Sequence, residues 1–174
     1  MKELEVKVPC DDLGGLESKL GEMGARFVEE LDQVDLYFSH PSRDFGSMDE
    51  ALRLRRENER TAITYKGPKL DRDTKLREEI ELGIEDLELM SSLLERIGFR
   101  PVMRVAKRRK VYELEGVHFC LDRPEGLGEF VEMEWQGDDI GRGREKIMEL
   151  KQKLGLRGNE RRSYLELLVE KGRG

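Results

Sequence analysis

The strongest constraint on this chain is a two-residue alternation that keeps returning, with charge on one parity and apolar side chains on the other. It begins at once. In MKELEVKVP, Glu3, Glu5 and Lys7 alternate with Leu4, Val6 and Val8. Leu52 and Leu54 separate Arg53 and Arg55; Ile63 and Tyr65 separate Thr64 and Lys66; Ile80 and Leu82 oppose Arg77, Glu79 and Glu81. Near 105–112, Lys107 and Arg109 share a parity. Val117, Phe119 and Leu121 then oppose His118, Cys120 and Asp122, and Val131, Met133 and Trp135 oppose Phe130, Glu132 and Glu134. About seven strands follow from this pattern, with Asp35–Phe38 as a candidate eighth.

The charges are sorted by sign. Glu79/Glu81 and Glu132/Glu134 are acidic pairs; Arg53/Arg55 and Lys107/Arg109 are basic pairs. Any one such pair, taken alone, is a solvated face. Repetition over successive strands changes that reading, because like charges repel within a face. Up-and-down antiparallel strands close into a barrel with one parity inward. If the charged parity faces inward, the apolar parity faces outward and needs a cover.

Helices supply the cover. Asp11 or Asp12 caps a segment carrying Leu13, Leu16, Leu20 and Met23, which Gly24 ends. A second runs from about Glu85 to Ile97 with Leu87, Met90, Leu94 and Ile97 on one face, then Gly98. A third runs from about Gly143 to Leu154, then Gly155; a fourth carries Tyr164, Leu167 and Leu168. Their apolar stripes are expected to face the core. Each of the first three ends in Gly-x-Arg and follows a Glu-x-Glu strand, an internal echo suited to a pseudo-symmetric barrel. The expected fold is therefore α+β: an antiparallel eight-stranded barrel with flanking helices, one domain over residues 1–174.

Composition narrows the function. The net charge is -6, so the basic surface of a non-specific nucleic-acid binder is absent. No apolar run approaches the roughly 20 residues of a membrane span, and the first strand begins where a signal peptide would lie. Cys10 and Cys120 fit no metal-ligand spacing and read as reduced thiols of a cytoplasmic protein. The interior charges need partners. They can pair with one another, or the acids can hold Mg²⁺ or Mn²⁺ while Arg and Lys hold phosphate oxygens. No Walker A loop or Gly-x-Gly-x-x-Gly turn is present, and Gly126-Leu127-Gly128 reads as a hairpin turn.

Glu3-Leu4-Glu5-Val6-Lys7 resembles the Glu-x-Glu-x-Lys signature of the CYTH superfamily, the triphosphate tunnel metalloenzymes. Further stretches are similar to its class IV adenylyl cyclase branch: Asp35–Phe38, His40-Pro41, Arg43–Phe45, Asp49–Arg55, Tyr65–Pro68, Lys75–Glu81, Lys107–Arg109, Leu121-Asp122, Gly128–Glu134 and Ser163-Tyr164. Met48 departs from the polar residue expected there. The resemblance implies an eight-stranded tunnel in which acids bind divalent metal and bases grip a triphosphate. Its metal-side candidates are Glu3, Glu5, Asp122, Glu132 and Glu134, with Glu79 and Glu81 also lining the tunnel. Its phosphate-side candidates are Lys7, Arg53, Arg55, Lys66, Lys107 and Arg109, with Arg77 either there or holding Glu79 or Glu81. It also implies a homodimer as an option, which no sequence feature demonstrates.

Several residues have plainer readings. Asp122 reads either as a turn residue before Arg123-Pro124 or as a metal ligand. Arg56, Lys75, Arg108 and Lys110 read as solvated, His40 as a loop residue, His118 and Cys120 as packing, and Tyr37 and Tyr65 as core aromatics. The connection Ser39–Glu50 is long for a compact domain, and Lys69–Thr74 is a second loop at the mouth. The expected activity is conversion of ATP to cyclic AMP and pyrophosphate, with Glu132, Glu134, Lys7, Lys107 and Arg109 as catalytic candidates. The alternatives are a metal-dependent triphosphatase acting on an inorganic, thiamine or nucleoside triphosphate, and a protein that binds a metal–triphosphate without turnover.

Overall fold

The computed structural model describes residues 2–173; Met1 and Gly174, the two ends of the expected domain, lie outside the described residues. Nine antiparallel strands form one sheet: β1 (Lys2–Glu3), β2 (Glu5–Pro9), β3 (Arg26–Ser39), β4 (Ala51–Glu57), β5 (Arg60–Lys66), β6 (Arg77–Gly83), β7 (Arg100–Leu114), β8 (Val117–Pro124) and β9 (Phe130–Trp135). Their spatial order is β1-β6-β5-β4-β3-β7-β8-β9-β2. The two edges belong to one stretch of chain. Lys2 and Glu3 pair with Glu78 and Arg77, and after a break at Leu4, Glu5–Pro9 pair with Glu134–Phe130. The barrel is nearly closed by its own N-terminus. The eighth strand expected at Asp35–Phe38 is real but much longer, and the expected first strand is divided in two.

The apolar parity faces outward, as the alternation requires. Leu4, Val6, Val8, Val117, Phe119, Leu121, Val131 and Met133 are buried beneath helices α1 (Leu13–Glu22) and α3 (Ile140–Lys153). Each such side chain contributes roughly 1.5–3 kcal/mol. Helix α2 (Leu87–Arg96) covers Phe38 and Leu54 with Leu94, and helix α4 (Tyr164–Arg173) packs against Tyr37, Val105 and Phe130. Asp12, Asp86 and Asp139 cap the first three helices, each accepting from a backbone N–H in the first turn. Gly24, Gly98 and Gly155, the glycines of the internal echo, have φ of 85°, 107° and 66°, the left-handed termination that favours glycine.

Two expectations need correction. Helix α3 begins at Ile140, because Asp139 and not a later residue supplies the cap. The apolar cover is also incomplete. Ile80 and Leu82 on the outside of β6 are 50% and 62% exposed, and Ile97, expected on the buried face of α2, is 59% exposed. The buried stripe of α2 is narrower than its apolar sequence. No helix among the described residues is long and apolar enough to cross a membrane.

Candidate functional site

The charged parity meets inside the barrel, around a cavity of about 720 Å³ lined by residues of every strand except β8. On the acidic side, carboxylate oxygens of Glu3, Glu5 and Glu134 lie within 4.8 Å of one another. Strand pairing causes this, since β2 places Glu5 opposite Glu134 and the break at Leu4 keeps Glu3 on the same wall. Burial, reinforced by the charges of Glu3, Glu5 and Glu132, pushes Glu134 up to about 8. Three clustered carboxylates with one kept from ionising are a donor set matched to a hard divalent cation. These residues fit Mg²⁺ or Mn²⁺, and the choice between the two rests on no feature of the cluster.

Glu132 lies beside this cluster but is already paired. Arg109 donates to it at 2.9 Å and Lys7 lies 3.4 Å away. Burial opposes its ionisation, yet Arg109, Lys7, Lys75 and Lys107 together hold its carboxyl well below the usual range. Asp122 is deeper still, with no exposed surface. Arg109 binds it with two bonds of 2.6 Å, and the Tyr164 hydroxyl donates to it at 2.6 Å. Both of its oxygens are therefore engaged, and Asp122 sits within β8 rather than in a turn. Glu79 lies 3.3 Å from Lys66. Glu81 has the right parity but is exposed at the opposite rim, accepting from Thr64 at 3.1 Å.

On the basic side, Lys7, Arg53, Lys107 and Arg109 are buried, Arg55 is nearly so, and all five line the cavity with Lys66 and Arg77. Asp35 holds Arg55 through bonds of 2.6 and 2.7 Å. Lys66 reaches Glu3 at 2.7 Å, and Arg77 reaches Asp49 at 3.1 Å. Two cations are less satisfied. Arg53 approaches Asp35 only to 3.9 Å, and its Nε has no hydrogen-bond partner among the described residues. Lys107 has no carboxylate within 4.0 Å among the described residues, and its Nζ lies 4.8 Å from the Tyr164 ring. Burial, with Arg109 and Arg55 nearby, lowers Lys107 to about 8. Burial likewise lowers Lys7 to about 7, with Lys75 adding repulsion.

Three residues escaped the sequence reading. Lys75, expected in a solvated loop, is 7% exposed and donates to Glu5 inside the barrel. The segment before β6 runs under the barrel there, with Lys75 N–H bonded to the Glu5 carbonyl. Asp35 was recognisable only as part of a motif. Tyr164 looked like one apolar residue of a helical stripe, yet its ring also lies 3.7 Å from Lys7 Nζ. By contrast Arg56 and Arg108 are exposed, as expected, and Lys110 pairs with Glu17 on α1.

Comparison with known proteins places this geometry. A protein of Methanocaldococcus jannaschii named as a candidate adenylate cyclase is 40% identical over 172 residues, covering 96% of this chain and 98% of that one. A solved structure from Pyrococcus horikoshii is 43% identical, covers 97% of this chain and 99% of its own, and superposes with a TM-score of 0.88. A Hippeastrum structure, described as a candidate adenylyl cyclase with a dominant triphosphatase activity, shares the fold at 20% identity with a TM-score of 0.70, covering 98% of this chain and 96% of its own. The model of the CYTH domain matches residues 1–164, and the chain belongs to that family.

Proposed function

We propose that this chain is a single-domain, class IV-like adenylyl cyclase that converts ATP to cyclic AMP and pyrophosphate with a divalent metal. One observation carries the reading. The same cavity gathers the carboxylates of Glu3, Glu5 and Glu134 within 4.8 Å of one another and presents two buried cations short of anions, Arg53 and Lys107. A metal–triphosphate relieves both at once. The Methanocaldococcus relative named for cyclase activity supports the choice of reaction.

In this reading Arg53, Arg55, Lys66 and Lys107 bind the phosphate oxygens, with Arg77 at the mouth. Asp35 keeps Arg55 aimed, and Asp122 keeps Arg109 aimed. The ribose 3′-hydroxyl oxygen attacks the α-phosphorus, its proton passes to solvent, and the bond from the α-phosphorus to the oxygen bridging to the β-phosphorus breaks, so that pyrophosphate leaves. Arg109 and Lys7 lie where they can take up charge on the departing pyrophosphate. Glu3, Glu5 and Glu134, with Glu132 beside them, would hold a divalent cation, which when bound would supply charge neutralisation.

Product analysis of the purified protein with ATP and Mg²⁺ or Mn²⁺ tests this. Cyclic AMP with pyrophosphate is the expected result. ADP with phosphate, or hydrolysis of inorganic triphosphate alone, moves the assignment to a triphosphatase. Tight binding of ATP with no product makes the chain a binding protein.

A further inference from the structure

The connection between β3 and β4 turns through Asp44–Asp49 and ends as helices do. Glu50 N–H donates to the Phe45 carbonyl at 2.9 Å, and Asp49 N–H donates to the Gly46 carbonyl at 3.3 Å. In such an ending one residue turns left-handed, and the backbone favours glycine for it. Here that residue is Asp49, with φ of 55°. Asp tolerates this conformation better than most residues do, but at a cost that glycine lacks. A carboxylate therefore stands where the turn alone asks for none, and its contacts are what need explaining.

Both of its oxygens are engaged. Oδ2 accepts from the Lys69 backbone N–H at 2.8 Å. Oδ1 accepts from Lys69 Nζ at 2.7 Å and from a terminal nitrogen of Arg77 at 3.1 Å, and the Asp49 carbonyl accepts from that same nitrogen at 3.3 Å. Lys69 belongs to the connection between β5 and β6, which is itself pinned. Leu70 N–H bonds the Leu76 carbonyl at 2.7 Å, and Arg144 of α3 holds Asp71 at 2.9 Å. Asp49 is a fixed point between two connections.

Arg77 is the group it fixes. Arg77 lines the cavity and is 6% exposed, and its Nε has no hydrogen-bond partner among the described residues. A buried donor left over calls for an explanation. Asp35 shows what full pairing looks like here, gripping Arg55 through Nε and a terminal nitrogen together. Asp49 takes one nitrogen of Arg77 and leaves Nε open.

We propose that Asp49 is a positioning residue, which clamps one corner of the Arg77 guanidinium at the mouth so that its open donors meet a phosphate oxygen already ordered. The proposal rests on reading the interior as a triphosphate site, and it gives Asp49 no contact with the substrate. A free arginine loses side-chain freedom when it binds an anion; a clamped one has lost it beforehand. Lys69 serves the same end by holding the carboxylate in place.

The test is equilibrium binding of inorganic triphosphate to the full chain in EDTA, where metal-dependent turnover is stopped, followed by calorimetry. Asp49→Asn keeps the size and the tolerance of a left-handed φ but loosens the hold on Arg77. Affinity is expected to fall about threefold to tenfold, the scale of ordering one long side chain. Asp49→Gly suits the backbone, serves if the asparagine variant does not fold, and should lose as much or more. In an Arg77→Met chain the same substitutions should change affinity by less than about twofold, because the residue through which Asp49 acts is gone. Arg77→Gln repeats the cycle if the methionine variant does not fold. An equal loss without Arg77 makes Asp49 a support of the loops alone and overturns the proposal, as does unchanged or tighter binding by both Asp49 variants. In those cases triphosphate binding by the unaltered chain keeps the interior reading. Failure of the unaltered chain to bind triphosphate removes both.

Discussion

The barrel holds interior carboxylates on neighbouring strands, Asp122 on β8 and Glu134 on β9, and their surroundings are built oppositely. Around Asp122, every oxygen has a donor: Arg109 grips it twice and Tyr164 closes it from α4. Around Glu134, carboxylates face carboxylates: Lys66 and Lys75 hold Glu3 and Glu5, while the cation nearest Glu134, Arg109 at 3.5 Å, is already engaged with Asp122 and Glu132. The first cluster is complete within the fold. The second gains from an added cation. Interior charge therefore has two uses here, and the parity of a strand does not distinguish them; the count of partners does.

Substitutions should pull the two clusters apart. The largest effect on stability is expected from Asp122→Ala, which removes both 2.6 Å bonds of the buried Arg109 and leaves the Tyr164 hydroxyl without its acceptor, and should destabilise the fold by roughly 3 kcal/mol in urea unfolding. Glu134→Gln should leave the unfolding midpoint unchanged or slightly raised while lowering metal affinity and turnover about 100-fold, measured by calorimetry and product formation. Combined with Glu132→Gln it should abolish turnover. Preserved turnover in that double variant would place the metal elsewhere. A smaller, pH-dependent effect belongs to Lys107. Its ammonium is lost above about 8 in the free protein, and a bound anion favours the charged form. Metal-free triphosphate affinity should thus fall by up to about tenfold per pH unit above 8 on account of Lys107, and Lys107→Arg should remove that share of the slope, leaving the part due to Lys7, which loses its proton above about 7. The smallest effect is Tyr164→Phe, which keeps the ring beside Lys7 and Lys107 but removes one bond to Asp122; about 1 kcal/mol of stability should go, with a Tyr164→Leu comparison isolating the ring.

Most of the interior was legible because a strand's period of two assigns each side chain to a face without knowledge of its neighbours. Glu5, Lys7, Arg53, Lys107, Arg109 and Glu132 all follow from that rule and are all buried. The rule fails where the backbone is not a strand or where a strand outruns the barrel. Lys75 enters from a non-strand segment and carries no alternation to betray it. Glu81 keeps its parity to the end of β6, where there is no longer an interior to face. Tyr164 belongs to a helix, so its apolar period hid a hydroxyl that completes an ion cluster two elements away. Pairing pattern was equally hidden. Nothing in Glu134 or Glu132 tells which of them has Arg109 for a hydrogen-bond partner until the opposing strands are in register.

The N-terminal stretch that supplies both edges of the sheet has a consequence for how the molecule is made. Lys2–Pro9 leave the ribosome well before their partners, Arg77–Glu78 and Phe130–Glu134. This segment must wait, unpaired and half apolar, until nearly the whole barrel has been synthesised. Such long-range closure slows folding. It also means that the acidic cluster depends on closure: Glu3 and Glu5 arrive with the seam, so a barrel still open there has not yet gathered its three carboxylates.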